Sequence, residues 1–251
     1  MVLGTGLGVG NRERSLDNSF MDPIKPYASY ADAVVFATEE INKVDSAYCD
    51  NFLKILEFCF QYVEDAGGLH SSRPKLSQKW IQAKAQQFVN DRYTTKPSTT
   101  LNVPDPLIGI ISEEYFGIDS VDISKLLEHH KIAMAAENVT GSLLEEYIAS
   151  VMEPLGWIWC SGKMVKASDF IKFPQVPTDK PHLLQIKNRS NSENSSSASI
   201  RNGTNIEHWY RLEAANGDTR WDTFPDPQGK KDLSEAKFQE FVKDRIAEWN
   251  I

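Results

Sequence analysis

Residues 141–189, GSLLEEYIASVMEPLGWIWCSGKMVKASDFIKFPQVPTDKPHLLQIKNR, decide the fold. Thr140 and Gly141 open a helix whose apolar face holds Leu144, Ile148 and Val151, and Pro154 with Gly156 closes it. Residues 157–160, WIWC, are a short apolar run; Ser161 and Gly162 read as a turn, and 164–173 read as the partner strand. A loop with Pro174, Pro177 and Pro181 follows, and 183–187, LLQIK, form a third short strand. Helix, hairpin, crossing loop and strand make a compact α/β core over 138–190.

That unit gathers polar residues of one chemistry. Asp169 sits on one strand, Gln185 and Lys187 on the next, and Glu145 on the preceding helix. Neighbouring strands lie about 5 Å apart, so a carboxylate on one and an amide oxygen on the other can share a hard cation. Gln185 and Lys187 are two apart and share a face. Magnesium takes oxygen ligands and keeps several waters, so one or two carboxylates suffice. Lys187 is no ligand; it suits a place beside the attacking water, where it favours deprotonation and offsets charge growing on a phosphate. Glu146 is the alternative to Glu145, because a helix turns by about 100° per residue and only one of them can face the site.

Working outward, residues 1–25 read as a flexible tail. Its GTGLGVG string has neither the spacing nor the flanking strand of a phosphate-binding loop. Residues 26–137 read as a mainly helical region packed on the core. Phe52, Ile55, Leu56, Cys59, Phe60 and Val63 mark one amphipathic helix. Trp80, Ile81, Phe88 and Val89 mark a second, capped by Ser77, and another covers 121 to about 137. His129-His130 lacks metal-binding spacing and reads as one packed and one exposed histidine.

Past the core, the Ser/Asn run at 190–199 has linker composition but also suits a DNA-contacting loop. An aromatic and basic stretch surrounds 208–211, and a closing helix runs from about 233 to 249 with Ser234 as its cap. Arg189, Ser195, Arg201, Asn202, Asn205, His208 and Arg211 are the expected DNA contacts, by phosphate or by base edge.

Bulk properties narrow the classes. The net charge of −8 excludes binding of a polyanion by overall attraction. Residues 161–211 nevertheless carry eight Lys/Arg against four Asp/Glu, while the rest of the chain carries 19 against 31. A polyanion-binding face is therefore local and falls on that segment. Three cysteines without a CxxC pair argue against a disulfide framework or zinc site. No run of 18 apolar residues and no signal-peptide pattern occur, so a cytoplasmic protein without membrane contact is expected.

Asp169 with Gln185-Ile186-Lys187 resembles the PD-(D/E)xK nuclease signature, in the variant with glutamine at the second position. Gly141 to Glu145 resembles the Gly-x-x-x-Glu helix that precedes it. More narrowly, 141–211 resembles the SinI family of type II restriction endonucleases. Ser168 stands where the signature often has proline, and Gln185 replaces an acid, which places more charge demand on Glu145. The resemblance implies a restriction-endonuclease-like α/β fold, a mixed sheet flanked by helices, extending over 138–251. It further implies Mg2+-dependent hydrolysis of double-stranded DNA at a near-palindromic site, GGWCC or GGNCC, leaving 5′-phosphate and 3′-hydroxyl ends. Asp169 would be the central metal ligand, Gln185 and Glu145 its supports, and Lys187 the residue positioning the nucleophile, in a homodimer with one site for each strand. A repair or methyl-dependent nuclease of the same core, or a non-catalytic DNA-binding or interaction protein, is the competing reading.

Overall fold

The computed structural model describes residues 22–69, 74–98, 103–176, 179–190 and 204–249. Most of the expected tail lies outside these residues, as do the Ser/Asn run beyond Ser190 and the candidates Ser195, Arg201 and Asn202.

Four strands form one mixed sheet in the order β1 (Ile158–Trp159), β2 (Phe170–Lys172), β3 (His182–Arg189) and β4 (Ile206–Leu212). The first two junctions are antiparallel and β3 runs parallel to β4. Side chains alternate across the pleat. Ile158, Ile171, Leu183 and Ile206 enter a core built with α1 (Tyr30–Val44), α2 (Cys49–Gln61) and α3 (Gln78–Asn90). Trp159, Phe170, Leu184, Ile186 and Trp209 enter a second core built with the end of a long helix, α5 (Ser120–Met152), and the last helix, α7 (Glu235–Trp249). Between these long elements come α4 (Pro106–Glu114) and the one-turn α6 (Gly229–Asp232). The sheet is thus covered by helices on both faces.

Local capping agrees with the sequence. Ser77 accepts the N–H of Trp80 at 3.2 Å, and Ser234 accepts that of Lys237 at 3.3 Å. Other readings are corrected. The two helices expected on either side of Thr140 are one, α5, with Gly141 in its interior. A glycine costs a helix about 1 kcal/mol, which the packing of Leu143, Leu144 and Ile148 outweighs. The strand expected over 164–173 shrinks to Phe170–Lys172, because Met164, Val165 and Ala167 leave the ladder to fill the first core. Residues 206–212, given no strand from the sequence, form β4.

The turn between β1 and β2 is gripped by α3. Gly162 adopts φ +78°, and a Cβ there would lie 2.8 Å from the Phe88 Cα. Buried Lys84 donates to Gly162 O at 2.7 Å, Lys163 O at 2.9 Å and Gln87 Oε1 at 2.8 Å, so all three ammonium protons are used. Ser161 Oγ adds a bond to Phe88 O at 2.9 Å. These contacts fix the hairpin that presents Asp169. Among the described residues no helix is long and apolar enough to cross a membrane.

Candidate active site

Where β2 leaves β3, Asp169 takes over the pairing. Its backbone N–H still donates to Leu184 O at 2.9 Å, while its carboxylate accepts the Ile186 N–H at 2.7 Å. Ser168, at the proline position of the signature, is buried and donates its hydroxyl to Phe170 O at 2.8 Å. Phe170 lies opposite Leu184, so alternation puts Asp169 on the face of Gln185 and Lys187. Gln185 is buried and Lys187 half-buried on β3.

Glu145 arrives from α5. The Trp159 indole donates to its carboxylate at 3.0 Å, and Glu145, Trp159 and Asp169 line one cleft of about 400 Å³. Trp159 is itself held: its backbone N–H reaches Glu153 at 3.1 Å, and Glu153 forms a two-pronged pair with Arg92 at 2.8 and 2.9 Å. The adjacent glutamates have different partners. Glu146 turns to the α7 side, where it pairs with Arg245 and accepts the Thr94 N–H.

The cleft makes both carboxylates hard to ionise. Burial and then the neighbouring Asp169 charge push Glu145 up to about 8, against relief from the Trp159 indole and Lys187. Burial lifts Asp169 to about 6, opposed by the Ile186 N–H and Lys187. The Lys187 charge therefore acts on both acids. Each acid's direct partner is a neutral N–H, so the pair lacks a cation at contact distance in that set of bonds. Among the described residues no three His, Cys, Asp or Glu gather as a metal cluster. Two carboxylates lining one cleft suit a divalent ion that keeps its waters, and do not suit zinc.

Of the expected DNA contacts, Arg189 is exposed at the end of β3 and Asn205 is exposed just before β4. His208 is half-buried in register with Gln185. Arg211 is placed otherwise than expected. It is buried with its guanidinium given to Asn188 at 3.0 Å and Glu235 at 2.6 Å, tying α7 to the sheet. Sequence reasoning missed Lys163 and Lys166, exposed residues that line the same cleft as Asp169. Their signal was the local positive balance of 161–211, which they help to create. Trp159 was also missed as a holder of Glu145, because an indole in an apolar run reads as core.

The chain is similar to known proteins over most of its length. The model of the SinI restriction endonuclease family matches residues 33–248. The type II restriction enzyme Eco47I of Escherichia coli is 37% identical over 213 residues, covering 84% of this chain and 92% of that protein. The type II restriction enzyme SinI of Salmonella infantis is 35% identical over 210 residues, covering 82% and 91%. A match over that span takes in Glu145, Asp169, Gln185 and Lys187, and the chain belongs to the SinI restriction endonuclease family.

Proposed function

We propose that this chain is a magnesium-dependent type II restriction endonuclease that hydrolyses double-stranded DNA at a short near-palindromic site, GGWCC or GGNCC. The carrying observation is the convergence of Asp169 and Glu145 on one cleft under the charge of Lys187, in a chain whose relatives are named type II restriction enzymes. Asp169, Glu145 and Gln185 would hold the ion. When bound, magnesium supplies Lewis-acid stabilisation of phosphate charge and a more acidic water. The chain's own residues do the rest. Lys187 draws the nucleophile's lone pair toward the cleft and offsets charge on the scissile phosphate. Trp159 fixes the Glu145 carboxylate, and the Ile186 N–H fixes one oxygen of Asp169. Lys163 and Lys166 on the cleft lip, with Arg189, would take flanking phosphates. The recognition sequence rests on the family resemblance alone.

Digestion of unmethylated phage DNA with Mg2+, followed by sequencing of the fragment ends, tests this reading. A single recurring GGWCC or GGNCC end is expected. Absence of magnesium-dependent cutting across varied sequences, or structure- or methyl-dependent cutting, would overturn it.

Two further results are expected. Both site acids bind protons more readily in the folded chain than in the unfolded one. Without metal they favour folding at low pH and oppose it as pH rises toward their folded values. Magnesium competes with those protons, so its stabilising shift of the melting temperature should be large above about 8 and small below about 6. A shift of equal size at both pH values contradicts the assignment. Replacing Lys163 and Lys166 by alanine should weaken DNA binding evenly across sequences and reduce the slope of log affinity against log salt by about one per lysine. Fluorescence anisotropy over a salt series reads this out, and an unchanged slope removes them from the interface.

A further inference from the structure

Trp159 stands on the open edge of the sheet. β1 ends the strand order, and its ladder with β2 is two pairs long. The next residue, Cys160, gives its backbone N–H to Asp169 O at 2.8 Å. Alternation therefore turns the N–H and C=O of Trp159 away from β2, toward the edge. Among the described residues no strand meets them there; an ion pair does. Glu153 Oε1 accepts the Trp159 N–H at 3.1 Å, and Arg92 Nη2 donates to Trp159 O at 3.3 Å. The same arginine nitrogen and the same glutamate oxygen bond each other at 2.8 Å, and the second prong of the pair closes at 2.9 Å. One donor and one acceptor, each held by the other, thus take the place of a neighbouring strand.

We infer that Arg92 and Glu153 are positioning residues for Glu145, acting through Trp159. Neither lines the cleft. Arg92 lies just past α3, in the helical region, and Glu153 just past α5, the helix that carries Glu145. Arg92 is 5% exposed, and its guanidinium lies 4.4, 4.8 and 5.5 Å from the ring centres of Phe88, Tyr48 and Trp159. Burying such a pair brings little net stability, because desolvation of both charges offsets their attraction. What it brings is geometry. Trp159 is held at its N–H, at its C=O and on its ring, and the indole of that held residue donates to Glu145 Oε2 at 3.0 Å. The carboxylate is thereby oriented before an ion arrives, as outer partners orient the ligands of metal sites. The inference rests on the reading of Glu145 as a ligand of the ion.

Two readouts on the full chain without DNA test this: Mn2+ affinity, from the electron paramagnetic resonance signal of the free ion, and the 1H–15N resonance of the Trp159 indole. Arg92→Met with Glu153→Leu removes both charges together, so neither is left buried alone. This pair variant should lower Mn2+ affinity about tenfold and shift the indole resonance, which Trp159→Phe identifies by deleting it. Trp159→Phe should lower the affinity at least as much. Combining all three substitutions should bring no loss beyond that of Trp159→Phe alone, because the pair and the indole act in series. Arg92→Lys keeps the charge but not the fork, and should show a smaller loss of the same kind; it serves if the pair variant does not fold. Unchanged Mn2+ affinity in the folded variants overturns the inference. So does a loss that adds to that of Trp159→Phe, which would mark a general loosening of the fold. A wild type that binds Mn2+ and cuts DNA, with variants that bind it equally well, sinks the inference alone; a wild type that does neither sinks the nuclease reading and the inference with it.

Discussion

Replacing Lys187 by alanine should lower magnesium-dependent cutting by roughly 10³-fold or more while leaving DNA affinity within about threefold of wild type. The asymmetry follows from its position. Lys187 is half-buried on β3, and its charge acts on Asp169 and Glu145 together. On the proposed reading it bears on the reacting centre and not on the outer phosphates, which Lys163, Lys166 and Arg189 would meet. A 10³-fold loss is about 4 kcal/mol of transition-state stabilisation, whereas one phosphate contact among many changes binding little. Single-turnover cutting and anisotropy on the same duplex separate the two quantities. Loss of binding in step with cutting would make Lys187 an ordinary phosphate contact.

Asp169→Asn should be as damaging to cutting, again by about 10³-fold or more, and should stabilise the metal-free protein. The amide keeps the shape and an oxygen to accept the Ile186 N–H, so the β2–β3 junction survives. What disappears is a carboxylate whose ionised form burial disfavours and which raises Glu145 beside it. Above the ordinary carboxylate range the variant should melt higher than wild type without magnesium, and should lose most of the magnesium-induced shift. Thermal unfolding with and without the ion reads both. A variant that melts lower, or that still responds fully to magnesium, places the ion elsewhere.

The α/β core was legible because its signals are local. Proline and glycine punctuate it, Ser77 and Ser234 cap helices, and a two-residue spacing puts Gln185 and Lys187 on one face. Features set by distant partners were not. The spacing from Gly141 favours Glu145 over Glu146 only through the family resemblance; the partners that part the two, Trp159 and Arg245, lie 14 and 99 residues away. Arg211 reads as a free cation until Glu235, 24 residues on, is seen to hold it. β4 escaped notice because a parallel partner follows a long connection, here one of linker composition. The continuity of α5 through Thr140 and Gly141 likewise depends on packing that propensity cannot anticipate.

The metal corner proposed at Asp169, Glu145 and Gln185 carries the whole account, and manganese soaked into crystals of the wild-type protein tests it most directly. Anomalous density should appear between the carboxylates of Asp169 and Glu145, within coordination distance of both and beside the Gln185 amide, and should vanish in Asp169→Asn. Density at any other place, with this corner empty and the carboxylates unmoved, would contradict the account.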